Sequence, residues 1–480
     1  MDFDNYIAGA WCKGAGQVEN RNPSDTSDLI GRYAQADAAD LDRALDAARA
    51  AQPLWARAGI QRRHDALMAI GTELMARSAE LGEMLSREEG KPLAEGKGEV
   101  YRAGQFFTWF AAEALRNQGD QAESVRPGIE VEVRREPVGV VAIITPWNFP
   151  MATPAWKIAP ALAFGNVVVW KPANLTPASA VALAEIIDRQ HLPPGTFNMV
   201  LGPGSAIGDR LAAAAVDAIS FTGSVEVGHR IAAQARAHLP KLQMEMGSKN
   251  PMVIMDDCDL ELAVAHAANA AFGGTGQKCT AASRLIVHAA VHDAFAERLV
   301  RAAEALRVGH ALEAGTRIGP AVSAGQLASN LDWVAKGRAE GAEVLCGGTA
   351  VERPTQGHFM APAVLAGTTN AMTVNREEMF GPITCLQKVE SYDEALARAN
   401  DTPFGLTAGI MTRNLARAMD FRAKAKAGCV MVNLPTAGTD YHVPFGGRGL
   451  SSHGPREQGS YAAEFYTTVK TSYLWAGDPA

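Results

Sequence analysis

Apolar positions along the chain follow two rhythms. From 37 to 90 they recur at helical spacing among strong helix formers, as in ADAADLDRALDAARAAQPLW, which predicts helix with Asp40 as N-cap. The helical pattern continues over 92–118 and carries Phe106, Phe107, Trp109 and Phe110. That aromatic cluster suits either helix packing or the wall of a substrate tunnel. Residues 129–135 (IEVEVRR) alternate, as a half-exposed strand does. From 138 the rhythm changes. VGVVAIITP (138–146), NVVVWKP (166–172), FNMVLG (197–202) and AISFTG (218–223) are short apolar runs ending in Gly or Pro. Helical stretches at 151–164, 177–190, 205–214 and 225–237 separate them. Buried strands alternating with helices predict a parallel sheet covered on both faces, with ligands at the carboxyl ends of the strands.

A second strand–helix series begins near 250. It comprises PMVIM (251–255), a helix at 259–272, SRLIVH (283–288), a helix at 291–306, EVLCGG (343–348), ITCLQKV (383–389) and GCVMVN (428–433). The C-terminal TTVKTSYLW (467–475) reads as a strand without a local partner; it can pair with 129–135 or with another subunit. Glycine clusters mark loops at 202–208, 273–276, 446–449 and 454–459.

At 480 residues the chain has room for two large domains or three smaller ones. With 47% hydrophobic and 20% charged residues it is a folded protein, not a disordered one. The net charge of −7, spread without like-charge blocks, argues against nucleic acid as the main partner. No run of 18 apolar residues is present, so no membrane span is expected. MDFDNYIAGAW lacks the apolar stretch of a secretory signal. Six cysteines without CxxC or Cys/His metal spacing suggest a reducing compartment, expected to be the cytoplasm, and no metal site.

Four segments offer chemistry. Cys279 follows Gly273, Gly274 and Gly276 in FGGTGQKCTAASR, in a loop between a helical segment and a strand. Such a loop can turn backbone N–H groups toward a ligand beside a nucleophilic sulfur. The other five cysteines fit inert thiols better. Glu245 is flanked by Met244 and Met246; an apolar setting would raise its pKa and suit it to general-base work, the alternative being a solvated strand-end carboxylate. TPWNFP (145–150) holds the Asn148 amide between two prolines, as an oxyanion donor needs or as a plain turn would. For a dinucleotide, LGPGSAIG (201–208) follows a strand and precedes a helix, though its GxGxxxG spacing is weak by itself. FTGSVEVG (221–228) opens a helix whose N-terminus can hold a phosphate, and Lys171 in WKPAN stands just past a strand end.

Together TPWNFP, KPAN, FTGS, MEMGSKNP, GQKC, EEMFGP (377–382), NLP (433–435) and PFGG (444–447) resemble the NAD(P)-dependent aldehyde dehydrogenase superfamily, in order and over nearly the whole chain. The resemblance implies an α/β fold: a Rossmann-type cofactor domain (1–119 and 139–245), an α/β catalytic domain (246–430) and a small β oligomerisation arm (120–138 and 460–480), with 431–459 returning to the cofactor domain and the active-site rim. It implies Cys279 as nucleophile and Glu245 as general base. The Asn148 amide and the Cys279 N–H would form the oxyanion hole, and Glu457 would relay protons. Lys171 and Glu378 would bind ribose, Gly223 and Ser224 the pyrophosphate, and Trp147 and Phe380 would line the nicotinamide side. Thr145, Asn174, Gly204, Gly208 and Met246 would complete the cofactor site. The activity implied is oxidation of a small-molecule aldehyde through a Cys279 thioester, with NAD or NADP as cofactor, in a homodimer or homotetramer. Glu245 points to hydrolysis of that thioester.

Three positions depart from the common pattern. Ser248 replaces the second Gly of ELGGK, Gly274 replaces an Asn five residues before the nucleophile, and Asn174 replaces a frequent Glu. Asn does not repel a 2′-phosphate as a carboxylate would, so NADP is expected to be accepted. The two arginines that clamp succinate semialdehyde in some relatives are Trp156 and Gly273 here. PAWKIAPALAFGN, the Cys279 loop and NLPTAGTDYHVPFGG are instead similar to the α-ketoglutaric semialdehyde (2,5-dioxopentanoate) dehydrogenases. Arg284 and Lys278 could offer positive charge, with Arg284 better suited to bracing the Cys loop. The other readings are a succinate-semialdehyde or broad aromatic and aliphatic aldehyde dehydrogenase, or a catalytically silent nucleotide-binding or structural protein.

Overall fold

The computed structural model describes residues 2–117 and 119–477. The expected helix end at 118 and the last three residues of the arm segment lie outside them.

The first large sheet has eight strands, in the order Ser452–His453, Lys241–Glu245, Ala218–Thr222, Val140–Ile144, Val167–Lys171, Phe197–Met199, Asn5–Ile7 and Ala10–Cys12. Its five strands from Lys241–Glu245 to Phe197–Met199 run parallel. Val140–Ile144 and Val167–Lys171 are buried at every position, as their unbroken apolar runs require of strands covered on both faces. Helices Ala152–Ala163 and Pro177–Asp188 follow these strands. The second large sheet has seven strands, ordered Glu343–Cys346, Ala363–Ala366, Ile383–Val389, Ala282–His288, Asn250–Ile254, Thr407–Met411 and Cys429–Val432. Only the first pair is antiparallel.

The open question of the last strand is settled within the chain. Thr467–Trp475 pairs antiparallel with Ile129–Pro137 over nine residues, and Asp120–Glu123 adds the other edge. One whole sheet has no counterpart in the hydrophobic pattern: Asp2–Phe3, Gly16–Asn22 and Asp25–Gln35 form it before the first helix. The strand Thr407–Met411 and the helices Ala324–Ala339, Tyr392–Asn400 and Leu415–Lys424 are likewise additions to the expected elements.

The 37–90 region breaks into Ala38–Ala56, Ile60–Ala76 and Ser78–Glu89. Its N-cap is Asp37, not Asp40. The Asp37 carboxylate accepts from the Asp40 N–H at 2.9 Å, and the Asp40 carboxylate accepts in return from the Asp37 N–H at 3.1 Å. Asp40 is thus the third residue of a capping box, already helical, and Asp37 holds the extended cap conformation. The long helix Leu93–Arg116 packs against Ile60–Ala76 and Ala152–Ala163, carrying one face toward the seam between the two large sheets.

Arg284 sits in the middle of the second sheet with none of its surface exposed. Its guanidinium donates to the carbonyls of Lys249, Arg398 and Ala399, each at 3.0 Å, so it caps the C-terminal end of helix Tyr392–Asn400 and ties it to the sheet. Arg284 therefore braces this helix and not the Cys loop, to which its guanidinium makes no hydrogen bond. Burial holds its pKa down, to about 10. Arg284→Met fills much of the space but takes the guanidinium donors from the carbonyls of Lys249 and Ala399, while that of Arg398 keeps the Asn370 amide. The expected loss is about 3 kcal/mol of unfolding free energy, read from urea denaturation midpoints; a loss below about 0.5 kcal/mol would show that the carbonyls find water.

Candidate active site

The nucleophile loop is built by backbone strain. Helix Leu260–Phe272 ends at Gly273, and Gly274, Thr275 and Gly276 then take φ values of 61°, 56° and 64°. A β-branched residue in the left-handed region is costly and persists only where its surroundings enforce it. Here they do. The Gly274 N–H donates to Glu95 at 3.1 Å, and the Thr275 hydroxyl donates to the Gly319 carbonyl at 3.3 Å. A Cβ on Gly276 would lie 2.1 Å from the Gly381 carbonyl oxygen, so this loop and EEMFGP touch backbone to backbone. Left-handed φ also accounts for Gly274, since glycine and asparagine are the residues that tolerate it best. On the far side, the Asn250 amide donates to the carbonyls of Cys279 and Ala281 at 2.7 and 2.9 Å.

Cys279, half-buried, opens into a cavity of about 240 Å³. Burial pushes its thiol well above the usual range, and the neighbouring Glu378 and Glu245 push the same way. The sulfur therefore rests as a thiol at neutral pH. Asn148 is buried, and its amide nitrogen donates to the Gln277 carbonyl at 3.0 Å, which leaves its second N–H uncommitted beside the Cys279 loop. The carbonyl of Asn148 accepts from the Lys91 ammonium at 2.6 Å. Lys91 also pairs with Glu99 at 2.6 Å and stands 4.3 Å from the Phe149 ring centre. Burial opposes its charge, but Glu89 and Glu99 outweigh that and hold its pKa above the ordinary value. Sequence reasoning missed Lys91, which lies 57 residues from Asn148 on a different segment.

Glu245 ends the strand Lys241–Glu245, buried, and accepts from the Ser452 hydroxyl at 2.5 Å across the antiparallel edge. Burial raises its pKa well above the usual carboxylate range, and the adjacent Glu457 raises it further. The apolar setting read from its methionine neighbours is thus present. Glu457 is buried as an ion pair with Lys157, and the Lys157 ammonium also donates to the Ser220 hydroxyl at 2.9 Å. The second carboxylate oxygen of Glu457 has no partner among the described residues. Glu245 and Glu457 are therefore neighbours in a dry compartment that lies behind the cavity wall.

The cavity wall around Cys279 brings together Trp147, Asn148, Gly223, Ser224, Met246, Glu378 and Phe380. Ser224 caps helix Val225–Ala235, its hydroxyl accepting from the Val227 N–H at 3.4 Å, so the first N–H groups of that helix remain free for an anion. Phe380, at φ 53°, meets Trp147 edge to face at 5.5 Å. Glu378 accepts from the Ser248 N–H at 2.9 Å, and burial raises its pKa to about 7. A Cβ on Gly247 would fall 2.2 Å from that carboxylate, whereas Ser248 fits: its hydroxyl donates to Asn250 at 2.7 Å. The serine departure thus becomes part of the site's framework.

Five residues assigned to the cofactor stand off this wall. Lys171 is buried, its pKa lowered to about 8 by burial, and donates to the Pro172 carbonyl at 2.8 Å. Gly208 lies against the Lys171 chain, in the tight turn Gly204–Gly208 that contains Gly204. The Asn174 amide donates to Gln35 at 3.3 Å, so no carboxylate occupies that corner. The Thr145 hydroxyl accepts from the Trp170 indole at 2.9 Å.

A second cavity of about 370 Å³ lies between helix Leu93–Arg116 and the 437–439 loop, and reaches Lys278 and Thr280 on either side of Cys279. The aromatic cluster divides between its two readings. Phe107 and Phe110 are fully buried as packing, whereas Phe106 lines this cavity with Trp156, Phe149 and Phe445. A half-buried cysteine between a cleft that ends at a helix N-terminus and an aromatic-walled cavity suits a thiol-dependent oxidoreductase.

A family model described as the aldehyde dehydrogenase family matches residues 11–472, and the chain belongs to that family. It is an NAD(P)-dependent aldehyde-oxidising enzyme of the aldehyde dehydrogenase fold. It is 41% identical over 475 residues to an α-ketoglutarate semialdehyde dehydrogenase of Haloferax volcanii, covering 98% of both chains. It is 39% identical to an α-ketoglutaric semialdehyde dehydrogenase of Bacillus subtilis, covering 98% of this chain and 97% of that one. Among solved structures, betaine aldehyde dehydrogenase of Staphylococcus aureus in complex with NAD+ superposes with a TM-score of 0.96 at 31% identity, covering 99% of this chain and 97% of that one. Among the described residues no helix is long and apolar enough to cross a membrane, and no cluster of metal-ligating side chains occurs.

The raised thiol makes a prediction for the free protein. Alkylation of Cys279 by iodoacetamide, followed by peptide mass spectrometry, is expected to be slow at pH 7 and to keep climbing through pH 9. Glu378→Gln removes the nearest raising charge and should speed the reaction at pH 8. A plateau reached below pH 7 would contradict this picture of the resting sulfur.

Proposed function

We propose that the chain oxidises 2,5-dioxopentanoate to 2-oxoglutarate, accepting NADP as well as NAD. The observation that carries the substrate is the full-length similarity to two proteins of that activity, at 41% and 39% identity. Cys279 releases its proton to water, and the thiolate attacks the aldehyde carbon to form a thiohemiacetal. Its oxyanion takes hydrogen bonds from the free N–H of Asn148 and from the Cys279 backbone. A dinucleotide bound beside Cys279 supplies the hydride acceptor, after which Cys279 carries the acyl group as a thioester. Glu245, with its pKa raised by burial, takes a proton from the attacking water, and Glu457 carries that proton onward past Lys157.

For the cofactor, the helix N-terminus at Ser224 suits the pyrophosphate, Lys171 and Glu378 the ribose groups, and Trp147, Met246 and Phe380 the nicotinamide side. Gly204, Gly208 and Thr145 shape the floor. The neutral pair Asn174 and Gln35 leaves a 2′-phosphate unopposed. The domain division that goes with this reading keeps 1–119 and 139–245 for the cofactor, 246–430 for catalysis, and 431–459 for the rim between them. The arm of 120–138 and 460–480 carries exposed Tyr473, Leu474 and Trp475 on an edge strand, which suits association into a homodimer or homotetramer.

Steady-state kcat/KM for 2,5-dioxopentanoate, succinic semialdehyde, glutaraldehyde and benzaldehyde, each with NAD and NADP, tests the reading. A preference of about tenfold or more for the 2-oxo substrate, roughly 1.4 kcal/mol, is expected. So is an NADP value within about a hundredfold of that for NAD. A flat profile or a preference for benzaldehyde removes the substrate. Glu245→Gln should lower kcat by about 10²–10⁴ while leaving a rapid burst of one reduced cofactor per active site. Loss of the burst would place Glu245 before the thioester rather than after it.

A further inference from the structure

The substrate proposed above ends in a carboxylate, yet the positions at which some relatives carry arginines for that purpose are Trp156 and Gly273 here. The larger cavity contains four charged side chains: Glu95, Glu99, Arg102 and Lys278. Two are already committed. Glu99 accepts from Lys91 and from the N–H groups of Met151 and Ala152 at 2.9 and 3.1 Å, so it serves the Asn148 side of the site. Glu95 accepts from the Gly274 N–H. Lys278 forms no ion pair with a described residue, and burial lowers its pKa despite the opposing pull of Glu95, so its ammonium form is disfavoured. Arg102 also makes no ion pair, and no hydrogen bond to another described residue, and its guanidinium lies over the Tyr441 ring, 5.3 Å from the centre.

The half-buried guanidinium of Arg102 has no acid partner, so its charge is free to meet an anion entering the cavity. Its position is also fixed. Arg102 is on the rigid helix Leu93–Arg116, one turn before Phe106, and Tyr441 is wedged against Phe106 at 6.4 Å and Trp109 at 6.1 Å. The ring face holds the cation by its quadrupole and leaves the guanidinium edge, with its N–H donors, free for a planar anion. The Thr439-Asp440-Tyr441-His442 loop thereby supplies the ring on which the arginine rests.

Resting on the substrate reading above, we infer that Arg102, held on Tyr441, binds the carboxylate of the aldehyde substrate and selects acid-tailed aldehydes over neutral ones. The aldehyde end reaches Cys279 past Lys278 and Thr280, and the carboxylate stays at the helix. Arg102 touches no reacting atom; it sets which aldehydes are held.

The test compares wild type, Arg102→Gln, Tyr441→Phe and Tyr441→Ala on 2,5-dioxopentanoate, succinic semialdehyde and pentanal. Arg102→Gln should lose on the order of 100-fold in kcat/KM for the acid-tailed substrates, mainly through KM. Its kcat/KM for pentanal should stay within about threefold of wild type. Tyr441→Phe keeps the ring and should resemble wild type, whereas Tyr441→Ala should lose about tenfold on the acids alone. Calorimetric binding of 2-oxoglutarate should weaken in Arg102→Gln to the same degree. An equal loss on pentanal, or no loss on either acid, overturns the role of Arg102. If wild type prefers succinic semialdehyde and Arg102→Gln abolishes that preference, the carboxylate site stands and the 2-oxo substrate falls. If wild type prefers 2,5-dioxopentanoate over succinic semialdehyde and Arg102→Gln keeps the wild-type ratio of both acids to pentanal, the substrate stands and this site falls.

Discussion

The hydrogen bond from the Asn148 amide to the Gln277 carbonyl joins the two large sheets at the point where the sulfur emerges. One end belongs to the turn after Val140–Ile144, and the other to the left-handed loop that carries Cys279. Neither end is free to drift. Lys91 clamps the carbonyl of Asn148 from a third segment, and the Gln277 side chain accepts from the Val322 N–H at 3.0 Å. Gly276 against Gly381 closes the other side. The left-handed run of three residues, strained at Thr275, is sustained because these contacts over-determine the loop. The Asn148 amide and the Cys279 loop are thus held in place without a bound substrate, the condition under which the proposed oxyanion donor is worth most.

Burial is the site's second device. Glu245, Glu378 and Cys279 are all pushed toward their neutral forms, each with desolvation as the leading cause. A carboxylate whose pKa is raised by burial is a stronger base toward water than an ordinary glutamate. The same burial leaves the resting thiol unreactive, so slow alkylation of the free protein is no sign of a silent one. Where charge is needed, it is paired: Lys157 with Glu457, and Lys91 with Glu99. Arg102 lines the larger cavity without an acid partner and rests on the Tyr441 ring instead.

Much of this was legible in the chain. The buried strands of the cofactor sheet announced themselves as short Val- and Ile-rich runs, because strands covered on both faces have no polar side to show. The glycine run before Cys279 and the methionines around Glu245 marked a constrained loop and a dry carboxylate. What stayed hidden has a common cause. The N-terminal sheet uses strands such as GQVENRN, whose polarity reads as loop. The capping box was misplaced by three residues because both of its aspartates are good caps. Lys91 and Arg102 sit in helical, charged surroundings where any lysine or arginine reads as a solvated face.

By itself, the sequence determined the buried strands of the two large sheets with the helices between them, the glycine-rich loop before Cys279, and Cys279 and Glu245 as the candidates for nucleophile and base. Local φ preference, hydrophobic period and side-chain chemistry act over a few residues, and a sequence states them directly. Only the tertiary structure decided which charges are paired, which carboxylates are dry, and that Tyr441 meets Arg102 across 339 residues. Those properties depend on dielectric surroundings and on distances between segments remote in the chain, and no local pattern encodes them.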